Sequence, residues 1–212
     1  MKVFPPTFLG KLRLSILLVL LLVVAITYRV DVHASYALAD KQEGDILFQT
    51  LPHGQLADEI GNITQSEWTH CGILVRENDQ WQVAEAIGDV HYTPLHLWIG
   101  RGRSIKVAAL RVPNLNEEQR GKITAEIKKF LNKPYDYHYA PDDTEIYCSE
   151  LVYKVYNHAL GIQLGQWQKL GDLNWKPSES FIRGMENGQL PLDREMITPV
   201  SVFKSDKLKR VF

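Results

Sequence analysis

"THCGILVRENDQWQVAEAI", Thr69 to Ile87, decides the fold: two apolar-rich arms flank the polar Glu77-Asn78-Asp79-Gln80, the pattern of a β-hairpin. A symmetric turn of two or four residues sets Gly72 opposite Glu85 and Cys71 opposite Ala86. Alternation then places His70, Gly72 and Leu74 on one face, and Cys71, Ile73 and Val75 on the other. Glu85 shares the face of Gly72 and is a diagonal neighbour of His70, roughly 7–8 Å away and within side-chain reach. The hairpin thus holds a histidine beside a carboxylate and turns Cys71 away, as a small core residue. A bulge or an odd loop would undo this register.

Outward from the hairpin, "GDILFQ" (Gly44 to Gln49) reads as a first strand. The polar stretch from Thr50 to Trp68 reads as a long loop, or a loop with a short helix. "SIKVAALRV" (Ser104 to Val112) is another strand, ended by Pro113. Asn116 with Gln119 forms a capping box, and Ile123, Ile127, Phe130 and Leu131 make the inner face of the helix that follows. Lys133-Pro134 ends that helix. In the tail, a short helix is expected around Ser178 to Arg183, and "ITPVSVF" (Ile197 to Phe203) reads as a strand. Strands and helices mixed in one small unit predict an α+β fold with an antiparallel sheet.

The two cysteines differ in setting. In "TEIYCSELVYKVYNHALG" (Thr144 to Gly161), Cys148 opens a helix with Leu151, Val152, Val155, Tyr156, Ala159 and Leu160 on one stripe, and Gly161 stops it. Unpaired N–H groups and the helix dipole favour a thiolate at such a start, and a neighbouring imidazolium favours it further. A histidine on a strand, oriented by a carboxylate, would complete a nucleophile–base–orienter set. The N–H of Cys148 is placed to stabilise an oxyanion. The residues also fit blander roles: a Cys71–Cys148 bridge, a satisfied half-buried His70, a solvated Glu85 at a sheet edge. A metal site drawn from His70, His91, His96, His138 and the cysteines lacks the close helical spacing of a zinc signature. No metal and no cofactor is expected. The tyrosine-rich "KPYDYHYAPDD", with Tyr135 and Tyr137, precedes Cys148 and is expected to line the cleft.

At the N-terminus, Lys2, Lys11 and Arg13 precede an uncharged apolar run of 13 residues, Leu14 to Ile26. That is the layout of a secretory signal, and it is short for a membrane span, which takes about 20 residues. Residues 1–28 therefore read as a signal peptide or an N-terminal membrane anchor, with possible membrane association through residues 14–28. Residues 29–42 read as a linker and 43–212 as one domain. Either reading exports the domain, to be periplasmic, anchored in an inner membrane facing the periplasm, or secreted. The whole chain carries a net charge of −1, and its first 34 residues hold four basic and one acidic, so the remainder carries about −4. A mildly acidic domain with no basic stripe is a poor nucleic-acid binder. Two cysteines cannot make a disulfide scaffold.

Taken in order, "GDILF", "THCGILV", "VAEAIGDV" and "YCSELVYKVY" resemble the YiiX/YebB-like branch of the NlpC-type cysteine hydrolases, over about Gly44 to Gly161. The resemblance implies a circularly permuted papain-like fold, with the sheet packed against the helix that carries the nucleophilic cysteine. In this branch the histidine strand precedes the cysteine helix, as it does here. It implies Cys148 as nucleophile, His70 as base and acid, and Glu85 as the third polar residue. Tyr147 becomes a candidate hydroxyl donor near the oxyanion, while Gly44-Asp45 matches an element that shapes the first strand. The expected activity is cleavage of an amide or ester through an acyl-enzyme. The substrate would be a cell-wall peptide or a lipid-derived molecule such as a lipid-linked amide. An acyltransferase using the same residues and a non-catalytic binding module are the alternatives.

Overall fold

The computed structural model describes residues 6–37, 39–140 and 142–212. It divides into two units, Met1–Ala39 and Asp40–Phe212. The first contains helix α1, Pro6–Ala37, which runs on through 29–37 of the stretch expected to be a linker. No glycine or proline interrupts residues 11–43, so a helix nucleated in the apolar run propagates at little cost. The large apolar side chains from Leu14 to Ile26 are exposed. No helix among the described residues is long and apolar enough to cross a membrane.

The second unit is α+β. Its elements run β1 Ile46–Gln49, α2 Gln55–Thr64, β2 His70–Glu77, β3 Gln80–Ile87, β4 Asp89–Pro94, α3 Leu95–Arg101, β5 Val107–Arg111, α4 Glu117–Phe130 and α5 Cys148–Leu160. The tail adds β6 Gln168–Lys169, α6 Glu179–Met185, β7 Glu195–Met196, α7 Pro199–Phe203 and β8 Lys209–Arg210. Six strands form one antiparallel sheet in the order β4-β3-β2-β1-β5-β8, and β6 pairs with β7 apart from it.

The hairpin has a two-residue turn. Asn78 and Asp79 both take positive φ (51° and 60°), the backbone of a turn whose twist matches that of its strands. The register pairs Ile73 with Ala84 and Arg76 with Trp81, as a symmetric turn requires. Gly72 shows why a glycine stands there. A Cβ on it would lie 2.6 Å from Val83 Cγ1 and 2.8 Å from the Ala84 carbonyl.

Each sheet face has its own cover. Ile46, Phe48, Cys71, Ile73, Ala84 and Ala86 join the core that includes Ile123 and Ile127 of α4 and Leu151, Val152 and Val155 of α5. On the other face Leu47, Leu74 and Val83 are buried, and α3 brings the buried Trp98 and Ile99. The capping box at Asn116 forms, its side chain accepting from Gln119 N at 2.9 Å while Gln119 Oε1 accepts from Asn116 N. Gly161 takes φ 68° as the left-handed stop of α5. Asp45 is fully buried and receives Arg111 through both carboxylate oxygens (2.6 and 2.9 Å), tying β1 to β5. The stretch Ile197 to Phe203, expected as a strand, is instead mostly helix α7. Thr198 caps it by accepting from Ser201 N, and Pro199 stands in its first turn, where a missing N–H costs nothing.

Candidate active site

The start of α5 sets the site. Apolar spacing along the helix presses its inner stripe onto the sheet, which carries Cys148 down to the end of β2. Cys148 is 3% exposed. Glu150 Oε2 accepts from Tyr147 N at 3.4 Å at this helix start, and the N–H of Cys148 beside it faces the site as a donor for an anion.

His70, the first residue of β2, is buried, and its Nε2 lies 2.5 Å from Glu85 Oε2. Its ring also hydrogen-bonds the Cys148 sulfur, and with Nε2 committed to Glu85 that contact falls to Nδ1. Burial disfavours the imidazolium, but Cys148 and Glu85 outweigh it and hold His70 up at about 9. Glu85 is fully buried, and burial raises a carboxyl. Its hydrogen bond from His70 and that from Arg101 win, so Glu85 is held at about 2.

The hairpin places Glu85, and three residues that the sequence reading missed hold it. Thr93 Oγ1 donates to Oε1 at 2.5 Å, while Trp98 Nε1 at 3.0 Å and Arg101 Nη2 at 2.5 Å donate to Oε2. All three come from β4 and α3, in a stretch that the sequence left without elements. The alternation in "DVHYTP" and the apolar Leu95, Trp98 and Ile99 in "LHLWIGR" were the available signals. A carboxylate with four donors cannot swing, so it fixes the plane and tautomer of His70.

Cys71 is the buried core residue expected, with a further role the sequence did not show. Cys71 does point away from the His70 face, but the face it points to is the one α5 covers. Its thiol hydrogen-bonds the Cys148 sulfur, and this is the largest influence holding Cys148 well below the usual thiol range. Burial opposes that shift, and the His70 hydrogen bond and charge add to it. Cys71 itself is pushed up, by burial first and then by Cys148. Both cysteines are free thiols. The blander settings for the other two side chains also fail, since Glu85 is not a solvated edge residue and His70 is not half-buried.

The tyrosines surround the thiol unequally. The Tyr147 hydroxyl accepts from Ile197 N at 3.0 Å and keeps only its own proton to offer. The Tyr147 ring packs on Tyr139, with centroids 4.7 Å apart. Tyr135 is buried and hydrogen-bonded to Tyr139, and Tyr137 lies against its ring while half exposed. Beyond them a recess of about 80 Å³, open to solvent on one side, runs from Cys148 between α2 and the tail. Its lining is mostly apolar, with Ile63, Leu170, Leu173, Ile182, Met185 and Ile197 prominent.

A sheet packed on the helix that bears the thiol, with the histidine strand earlier in the chain, defines a cysteine hydrolase of permuted papain-like fold. The chain belongs to the permuted papain-like amidase family YaeF/YiiX, C92, which it matches over residues 40–212. It is 37% identical over 173 residues to the Escherichia coli K12 protein named YiiX, covering 80% of this chain and 85% of that one. The crystal structure of YiiX from Escherichia coli O157:H7, described as a metalloprotein, superposes with a TM-score of 0.78 at 36% identity. That likeness covers 81% of this chain and 96% of the other. The family makes this chain an enzyme, a cysteine hydrolase of the amidase kind.

Proposed function

We propose that this enzyme removes an apolar acyl group from an amide or ester of the cell envelope, through a thioester on Cys148. The observation that carries the reading is the mostly apolar recess that opens at the thiol. Glu59, Glu186 and Arg194 also line the recess, but most of its surface is apolar, so much of a charged stem peptide would face Ile63, Leu173 and Met185. An acyl chain would gain about 0.8 kcal/mol for each methylene buried there.

Cys148 attacks the carbonyl as a thiolate. The N–H of Cys148 receives the developing oxyanion at the helix start, where the dipole also favours negative charge. Imidazolium His70 donates its Nδ1 proton to the leaving nitrogen or oxygen, and the acyl–sulfur bond replaces the one broken. Neutral His70 then takes a proton from water, which attacks the thioester and frees the acid. Glu85 keeps Nε2 protonated throughout. The basic flank and apolar run at residues 2–26 support export and a membrane-side location, which would bring the recess to lipid-linked substrates.

Because the Escherichia coli YiiX structure is described as a metalloprotein, a metal at this site has to be considered. Among the described residues no group of three or more His, Cys, Asp or Glu side chains is arranged to hold an ion. His70 has both ring nitrogens engaged. The residues do not fit a metal centre at the thiol, and no step here runs through one.

The test is intact-protein mass spectrometry after exposure to acyl esters of graded chain length, repeated with Cys148→Ala. An adduct that forms faster as the chain lengthens, maps to Cys148 and vanishes in the variant is the expected result. Cleavage of peptidoglycan stem peptides with no chain-length dependence would overturn the acyl reading.

A further inference from the structure

A second recess meets the first at the catalytic pair. It lies between the start of α2 and the β3–β4 turn and includes Leu51, Ala57, Ile87, Gly88 and Arg101. The two share Leu56, Ile60, Tyr135 and Tyr137. Their remaining linings divide the chemistry: Cys148 lines only the first, and His70 lines only the second.

That division has a direction. In the acylation step the carbonyl carbon becomes bonded to sulfur, so the acyl chain must lie on the side that Cys148 lines. The C–N or C–O bond breaks, and its heteroatom takes the proton from His70. The departing fragment must therefore lie where His70 can reach it. We propose that the recess lined by His70, Ala57, Ile87 and Gly88 is the leaving-group site, and that it takes an apolar amine or alcohol bearing no positive charge. The inference rests on the acyl-transfer chemistry proposed above and adds the second half of the substrate to it.

The charge statement follows from the lining. Arg101 is the one charged side chain besides His70 in the second recess, and no carboxylate lines it. Glu85, which neutralises Arg101, is fully buried behind the lining. A quaternary or primary ammonium on the leaving group would face a guanidinium and an imidazolium that share one carboxylate, Glu85, and would find no anion of its own in the lining. An aryl or alkyl group would meet Leu51, Leu56, Ala57, Ile60 and Ile87 instead. The substrate thus has two apolar limbs that diverge from the scissile bond, parted by Leu56, Ile60 and the two tyrosines.

The test uses two esters of one acid, hexanoyl methyl ester and hexanoyl 2-naphthyl ester, and two variants on the leaving-group side, Ala57→Trp and Ile87→Trp. Neither residue lines the first recess. Each variant is compared with wild type on each ester, so the intrinsic difference between the leaving groups cancels. Both variants should lower kcat/KM for the naphthyl ester about tenfold more than for the methyl ester. Met185→Trp, on the acyl side, should slow both esters alike. Equal losses on both esters from Ala57→Trp and Ile87→Trp, or no loss on either, would overturn the assignment, as would leaving-group discrimination by Met185→Trp. If wild type forms no adduct on Cys148 with either ester, the acyl-enzyme reading falls and takes this one with it.

Discussion

Replacing Glu85 with glutamine isolates the role of a single charge. The amide can place its oxygen where Oε2 now accepts from His70, Trp98 and Arg101, and its NH₂ toward the Thr93 hydroxyl, so the shape and hydrogen bonds survive. What is lost is the charge, and the Arg101 guanidinium is left without a counter-ion. His70 stands at about 9 against an ordinary 6.5, which corresponds to about 3 kcal/mol in favour of the imidazolium. Cys148 supplies the larger favourable part and Glu85 the next. Removing Glu85's share, with Arg101 now repelling the ring, costs the imidazolium on the order of 1–2 kcal/mol. The expected loss in kcat/KM is about five- to thirtyfold, given that each 1.4 kcal/mol is a factor of ten.

The pH profile gives a sharper reading than the rate. In wild type His70 stays protonated until pH nears 9. In Glu85→Gln the alkaline limb of hydrolysis moves down from about 9 toward neutrality. The acid limb of Cys148 alkylation by iodoacetamide moves up, because a thiolate forms less readily beside a weaker imidazolium. A folded Glu85→Gln protein with both limbs where wild type has them would refute the claim that this charge sustains the pair. Stability carries the same signature. Glu85 is lowered to about 2, so its contribution is complete above the ordinary 4.5 and is lost as pH falls through 2. His70 is raised, so its contribution is complete below 6.5 and is lost as pH rises through about 9. One contact underlies part of both, and it counts once.

Cys71→Ala should keep the fold and raise the Cys148 pKa, so alkylation of Cys148 near pH 6 should slow measurably. An unchanged rate would reduce Cys71 to packing. Gly72→Ala drives a methyl into Val83 and the Ala84 carbonyl. It should destabilise the domain by about 2 kcal/mol, a fall in Tm of about 5 °C in a thermal melt. A wild-type Tm would show that the β2–β3 pair has slack that the structure lacks.

Much of the architecture was legible because period and punctuation are local. The hairpin shows two apolar-rich arms about a turn of residues that tolerate positive φ. The helix at Asn116 announces its cap, and the helix at Cys148 announces its stop. Ile197 to Phe203 misled for the same reason. Its β-branched residues favour a strand, but Thr198-Pro199 at a helix start overrides a weak propensity. Strand β4 and helix α3 are short, and their signals were too slight to place them.

What the sequence alone determined, then, is the register that brings His70 and Glu85 to one face and the helix start at Cys148. Both follow from spacings of a few residues. Only the tertiary structure decided which sheet face α5 covers, because that depends on how layers pack and not on any local period. That choice put Cys71, a core residue, against Cys148. It also brought Thr93, Trp98 and Arg101 around Glu85, and divided the cleft into a side that Cys148 lines and a side that His70 lines.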